Sequence, residues 1–236
     1  MSKNRNNNVV FMNQGKDYKI FTPSSEQKQL GNIIKSNDLI FVDGKAGVGK
    51  TSGILYNFVM DYVSNSYKEI IVIRTPVEAG FDKIGALPNG VEEKTEPHFK
   101  PARNILNELL GVGRTDCDIR KKRIRFEIPN FCLGDTFNNS LIIISEAQQM
   151  PPEIIKLLIE RIGKNSKCVV EGDPTQLYAN GGRRNGLSHA MNVFFDSEGE
   201  CKFSDRIGQF KFSNKVNMRS DIVQAVNDAY NAYGDL

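Results

Sequence analysis

The chain of 236 residues contains no tryptophan, two histidines and four cysteines. The cysteines, Cys117, Cys132, Cys168 and Cys201, are widely scattered and form no Cys-x-x-Cys pair. That spacing argues against a zinc-ligand set or a disulfide framework and for four reduced structural thiols. Long apolar runs are also lacking. The longest, Leu39–Val42 and Leu141–Ile144, fall far short of the ~20 residues needed to span a bilayer. The first ten residues, MSKNRNNNVV, lack the apolar core of a signal peptide, so a cytoplasmic location is expected. Neither charge sign dominates: 31 Lys+Arg face 28 Asp+Glu, a net +3. This balance permits a polyanionic partner without demanding one. With 39% hydrophobic and 25% charged residues, fibrous and wholly disordered classes are excluded.

What is present reads as one domain. Residues 1–8 are Asn-rich and without periodicity, a disordered tail. Residues 9–236 show no linker, repeat or charge block. Strand and helix patterns alternate along them. Leu39–Val42, Glu69–Arg74, Leu141–Ile144 and Lys167–Val170 are buried-strand runs, and Arg123–Ile128 alternates like a half-exposed strand. Ile54, Leu55, Phe58, Val59, Tyr62 and Val63 recur at helical spacing. Residues 76–98 read as a long loop and 99–110 as a helix. Pro151-Pro152 opens a helix striped by Ile154, Ile155, Leu158, Ile159 and Ile162. Ile222, Val223, Val226, Ala229 and Tyr230 mark a closing helix. Continuously apolar strands alternating with helices predict an α/β fold, a mostly parallel sheet with helices on both faces.

Between the first strand and first long helix lies Gly44-Lys-Ala-Gly-Val-Gly-Lys50-Thr51, the G-x-x-x-x-G-K-T phosphate loop. Glycines let backbone N–H groups converge on phosphate oxygens, and the helix N-terminus adds partial positive charge. Lys50 is expected to reach the terminal phosphates and the Thr51 hydroxyl to bind Mg²⁺. The nucleotide-binding set is Gly44, Ala46, Gly47, Val48, Gly49, Lys50, Thr51 and Ser52.

Phosphoryl transfer also calls for a carboxylate at the end of a neighbouring strand to anchor the metal. Leu141-Ile-Ile-Ile-Ser145-Glu146-Ala-Gln148 fits that place, but Ser145 stands where Asp is expected. Ser145 is then a neutral partner of a metal-bound water, and Glu146 the candidate general base. A charge-assisted hydrogen bond is worth about 1.5–3 kcal/mol and a neutral one about 1. The exchange therefore predicts turnover slowed roughly tenfold or more.

Further along, Gly172-Asp-Pro-Thr-Gln176 follows a buried strand, and Gln176 is a candidate sensor of the γ-phosphate. Gln27, before the first strand, can donate to and accept from an adenine edge at once; an exposed helix position is the alternative. Arg219 is a candidate for stabilising charge on the transferred phosphoryl group, in its own site or a neighbour's. Arg183-Arg184 is the competing pair.

Together these residues resemble the PhoH-like family, phosphate-starvation ATPases related to superfamily-one helicases. The resemblance spans approximately residues 20–235. Arg74-Thr-Pro-Val-Glu-Ala-Gly80 is similar to the family's Arg-Pro-x-Val-x-x-Gly segment, Gly85-Ala-Leu-Pro88 to its Gly-Phe-Leu-Pro turn, and Glu93–Pro101 to its Glu-Lys-x-x-Pro-Tyr…Pro stretch. Gly172–Gln176 followed by Asn185-Gly-Leu187 resembles Gly-Asp-x-x-Gln…Ser-Gly-Leu, and Arg219 falls on a late family arginine. The resemblance implies a RecA-like fold, ATP with Mg²⁺, a homo-oligomeric hexameric ring with Arg219 near a neighbour's site, and a connection to RNA or single-stranded DNA. The short, Asn-rich chain suits a bacteriophage member, and its length leaves no space for an appended RNA-binding or nuclease domain.

Arg114, Arg120, Lys121, Lys122, Arg123 and Arg125 cluster by the half-exposed strand. Such a patch is either a phosphate-binding surface or a solvated hairpin face, and Phe126 is its only aromatic. The expected function is an ATPase that remodels RNA or single-stranded DNA. A slow nucleotide-gated switch, motivated by Ser145, is the alternative, and a small-molecule kinase a more distant one.

Overall fold

The apolar runs become strands of one parallel sheet. A computed structural model describes residues 21–76, 91–176 and 185–213, and beyond them Ile222, Ala225, Val226 and Ala229. The strands are β1 (Leu39–Asp43), β2 (Glu69–Arg74), β3 (Ile124–Glu127), β4 (Ser140–Ser145), β5 (Lys167–Gly172) and β6 (Ile207–Lys211). The helices are α1 (Ser25–Ser36), α2 (Lys50–Val63), α3 (Val91–Leu110), α4 (Val112–Arg120), α5 (Pro152–Ile159) and α6 (Gly186–Phe194). The sheet order is β3-β2-β4-β5-β1-β6, and every pairing is parallel.

Successive side chains of a strand face opposite sides of the sheet, and two apolar layers follow. Ile40, Val42, Ile70, Val72, Ile143 and Val169 pack with Leu30, Ile54, Phe58 and Leu106 of α1, α2 and α3. Phe41, Ile71, Ile142, Ile144 and Val170 pack with Ile155, Leu158 and Leu187 of α5 and α6. The strands are buried on both faces, which is why their sequences are continuously apolar rather than alternating. The α/β fold with helices on both faces is the one predicted. β3, at the sheet edge, is partly exposed beyond Ile124, as its alternation requires.

Three regions depart from the sequence reading. Helix α3 begins at Val91, not near 99, and contains Pro97 and Pro101. Each proline deletes an N–H of the helix ladder, and Pro97 falls in the Gly- and Pro-rich stretch read as a loop. Burial of Phe99, Ala102, Leu106 and Leu109 against the sheet outweighs that loss. Strand β6 pairs with the edge of β1; it is short, partly exposed and interrupted by Gly208, so it carries little apolar signal. Ile222 and Val226 are helical but exposed, at 70% and 47%, so this part of the expected closing stripe covers no core. The Asn-rich tail and the Gly85–Pro88 turn lie outside the described residues.

Among the described residues no helix is long and apolar enough to cross a membrane, and no cluster of His, Cys, Asp and Glu forms a ready metal cage. All four cysteines are free. Cys132 and Cys168 are fully buried; burial pushes the Cys132 thiol up to about 12 and raises that of Cys168 further. The thiolate is the reactive form. A disulfide reagent at neutral pH is therefore expected to titrate Cys117 and Cys201 in the folded chain, and all four only after denaturation. Fast native reaction at Cys132 or Cys168, read by mass mapping, would contradict this packing.

Candidate nucleotide site

Strand β1 ends at Asp43 and α2 starts at Lys50, so the phosphate loop occupies the turn between them. Gly47 and Gly49 have φ of 87° and 88°, left-handed values that a Cβ disfavours. Gly49 caps α2 with no side-chain hydrogen bond, which leaves the first-turn N–H groups to an anion. The Lys50 side chain is buried and folds back over the loop, Nζ donating to the Gly44 carbonyl at 2.5 Å and the Lys45 carbonyl at 3.1 Å. The loop is braced from β5. Gly44 N donates to the Gly172 carbonyl at 3.2 Å, and Ala46 N donates to Asp173 Oδ2 at 3.2 Å.

Gln27 lies in this site, fully buried. Its Oε1 accepts from Ser24 N in a capping box at the start of α1. Its Nε2 donates to the Gly49 carbonyl at 3.0 Å and to Ser52 Oγ at 3.2 Å. The exposed-helix alternative is thus excluded. The amide grips the phosphate loop, and an adenine edge would have to exchange with these partners.

One placement is corrected. The sequence reading set Ser145-Glu146 on the strand neighbouring the phosphate loop, but β5 lies between β1 and β4. Strand order depends on non-local pairing, which no local run encodes. As a result the strand between β1 and β4 whose end meets the loop is β5, and it carries Glu171. Ser145 is buried, and its Oγ donates to Glu171 Oε1 at 2.6 Å. Thr51 Oγ1 donates to the same oxygen at 3.0 Å. Burial holds the Glu171 carboxyl above the ordinary carboxylate range; the Lys50 ammonium opposes that shift, and the Glu146 carboxylate adds to it.

Glu146 follows β4 with φ of 54°, a left-handed conformation uncommon for a side chain of this type. Its carboxylate accepts from Gln148 Nε2 at 2.7 Å and lies 3.9 Å from Arg74 Nη2. It is one-third exposed, so water reaches it. The other end of the Gln148 amide accepts from Asp173 N at 3.2 Å, which ties the ends of β4 and β5 together. Gly172 makes this approach possible: a Cβ there would lie 2.2 Å from Gln148 Oε1. Gln149 Nε2 donates to the Gln176 carbonyl at 3.1 Å, so the predicted sensor turn packs against the same short helical turn, Ala147–Gln149.

The structure thus brings Gln27, the loop, Lys50, Thr51, Ser52, Ser145, Glu146 and Gln176 to one end of the sheet. Arg219 and the Arg183-Arg184 pair lie outside the described residues. Missed from the sequence were Glu171, Asp173 as the brace of the loop, and Gln148. The usable signal for Glu171 was an acid inside a fully buried strand, Lys167–Gly172, beside a motif short of one acid. Convergent hydroxyl and carboxylate oxygens at Thr51, Ser145 and Glu171 suit a hard divalent cation, and the glycine cradle suits phosphate.

Half of the basic cluster is engaged within the chain. Arg125 pairs with Asp135 at 2.8 Å, Glu127 at 3.0 Å and Glu69 at 3.5 Å. Arg123 and Arg114 lie over the Tyr62 ring, at 4.8 and 5.9 Å. Phe126 packs on Phe99, so it offers no stacking platform. Arg120, Lys121 and Lys122 remain exposed.

A glycine-rich loop between a parallel strand and a helix, with acidic strand ends beside it, defines a P-loop NTPase. The sequence profile of PhoH-like proteins matches residues 19–231, and the chain belongs to the PhoH-like family. It is 29% identical over 217 residues to a PhoH-like protein of Bacillus subtilis, covering 92% of this chain and 65% of that one. Against the protein PhoH of Escherichia coli K12 it is 32% identical over 199 residues, covering 84% of this chain and 54% of that one. The chain therefore spans somewhat over half the length of these relatives. Among solved structures, the large terminase of bacteriophage HK97 shares the fold, with a TM-score of 0.51 over 91% of this chain and 48% of that one, at 12% identity.

Proposed function

We propose that this chain is a Mg²⁺-dependent ATPase whose hydrolysis is coupled to binding or remodelling RNA or single-stranded DNA. The observation that carries the proposal is the meeting of Lys50 and Thr51 with two strand-end carboxylates, Glu171 and Glu146. In this reading the loop amides and Lys50 hold the β- and γ-phosphates, and Thr51 would be a ligand of Mg²⁺. The cation supplies charge neutralisation on the phosphates. Glu146, reached by solvent and steered by Gln148, accepts a proton from the attacking water. Gln176 reports the γ-phosphate, and Arg219, from this chain or the next in a hexameric ring, stabilises the transition state.

The nucleic-acid part rests on the family's relation to superfamily-one helicases and on exposed Arg120, Lys121 and Lys122. A patch of this size gives weak, salt-sensitive binding. Phosphate release from ATP, measured with and without single-stranded RNA or DNA, tests the coupling. Stimulation by either polymer, lost at high salt, is expected. Equal rates with and without both polymers would leave a nucleotide-gated switch, the function motivated by Ser145, as the better description.

A further inference from the structure

Sequence reasoning asks for a carboxylate at position 145, and Ser145 stands there instead. The fold returns one to the same place from the next strand. β5 lies between β1 and β4, with Val42 paired to Glu171 on one side and Ile144 paired to Val170 on the other. Glu171 therefore sits one step beyond the Ile144–Val170 pair, level with Ser145. Its side chain is 1% exposed. Oε1 accepts from both Thr51 Oγ1 and Ser145 Oγ, whereas Oε2 accepts from neither hydroxyl.

We propose that Glu171 is the acidic residue of the divalent-cation shell in this chain, acting from β5 in place of an aspartate at position 145, with Ser145 as the hydroxyl that orients it. The inference rests on the nucleotide-hydrolysing reading above and specifies how that site is built. Three features support it. A buried carboxylate is costly unless a cation or a full set of donors answers it, and Glu171 has two hydroxyl donors. One of those is Thr51, the residue whose position after the loop lysine marks it as the metal-facing hydroxyl. With Ser at 145, Glu171 also supplies the one carboxylate that the expected aspartate would have brought to this place. Ser145 is then a positioning residue, and the tenfold slowing expected from losing the aspartate does not follow.

The test is Mn²⁺ binding in the presence of ADP, read from the electron paramagnetic resonance signal of free Mn²⁺, on wild type, E171Q and the double variant S145D/E171Q. Glutamine keeps the shape of Glu171 and an oxygen to accept both hydroxyl hydrogen bonds, so it removes the charge alone. E171Q is expected to weaken Mn²⁺ binding roughly 10–100-fold, with no fall in melting temperature in EDTA. The double variant, which returns the acid to β4, is expected to recover most of the loss; a purely structural role for Glu171 would show no such rescue. If E171Q does not fold, S145D/E171T carries the same comparison, an acid on β4 alone binding Mn²⁺ as wild type does. Mn²⁺ affinity of folded E171Q within about threefold of wild type, set against the 10–100-fold expected of a shell residue, would overturn the inference alone. A wild-type chain that binds ADP neither with nor without Mn²⁺ would overturn the nucleotide reading, and this inference with it.

Discussion

Lys50→Ala is expected to remove ATP turnover. The Lys50 ammonium is buried at the mouth of the phosphate loop, held by the Gly44 and Lys45 carbonyls, in position to exchange those neutral partners for phosphate oxygens. Two unit charges about 4 Å apart interact by about 4 kcal/mol at an effective dielectric near 20. If that attraction is realised on charge developing in the transition state, its loss slows the reaction by roughly three orders of magnitude. Steady-state phosphate release measures the effect. A melting curve excludes misfolding, because alanine also vacates the space over the loop. Retention of more than a tenth of the wild-type rate would mean that another cation neutralises the phosphates.

Glu146→Gln separates binding from chemistry. The glutamine can still accept from Gln148 Nε2, as Glu146 does, so the turn after β4 is expected to keep its left-handed conformation. What it loses is the basic oxygen. Positioned general bases contribute about 10²–10⁴-fold, so hydrolysis is expected to fall by that factor while ATP binding, followed with a fluorescent analogue, stays near wild type. Such a variant holds ATP without cleaving it, and it is the form in which any hexameric ring or nucleic-acid complex is expected to accumulate. Unchanged turnover would remove Glu146 from the reaction.

The parts of this site that are local in sequence were legible there. The loop from Gly44 to Thr51 has a spacing that its chemistry dictates, and it folds at a strand-to-helix junction as that chemistry requires. Leu141–Ile144 and Lys167–Val170 announce themselves because a strand covered on both faces has no polar side to alternate with. What depends on which strands become neighbours was not legible. Nothing within Cys168-Val-Val-Glu171 states that β5 enters the sheet beside β1. Without that pairing Glu171 reads as a strand-exit acid, and Ser145 as a lost charge rather than a hydroxyl facing a relocated one. Gln27 shows the same limit in reverse: its type suited adenine recognition, whereas its burial under the Gly49 carbonyl follows from the packing of α1 on α2. Pro97 misled because its local cost is visible in the sequence, whereas the burial of Phe99, Ala102, Leu106 and Leu109 that offsets it belongs to the packing of α3 on the sheet.

The most direct test of the account is a single turnover of chemistry at this site. The chain is loaded with ATP labelled at the γ-phosphate in the absence of metal, Mg²⁺ is added, and the reaction is quenched at intervals. The account predicts one exponential conversion to ADP and phosphate in wild type, absent from Lys50→Ala and slowed about 10²–10⁴-fold in Glu146→Gln. ATP that stays bound and intact after Mg²⁺ is added, in wild type as in the variants, would contradict it and show a site built to hold the nucleotide rather than to cleave it.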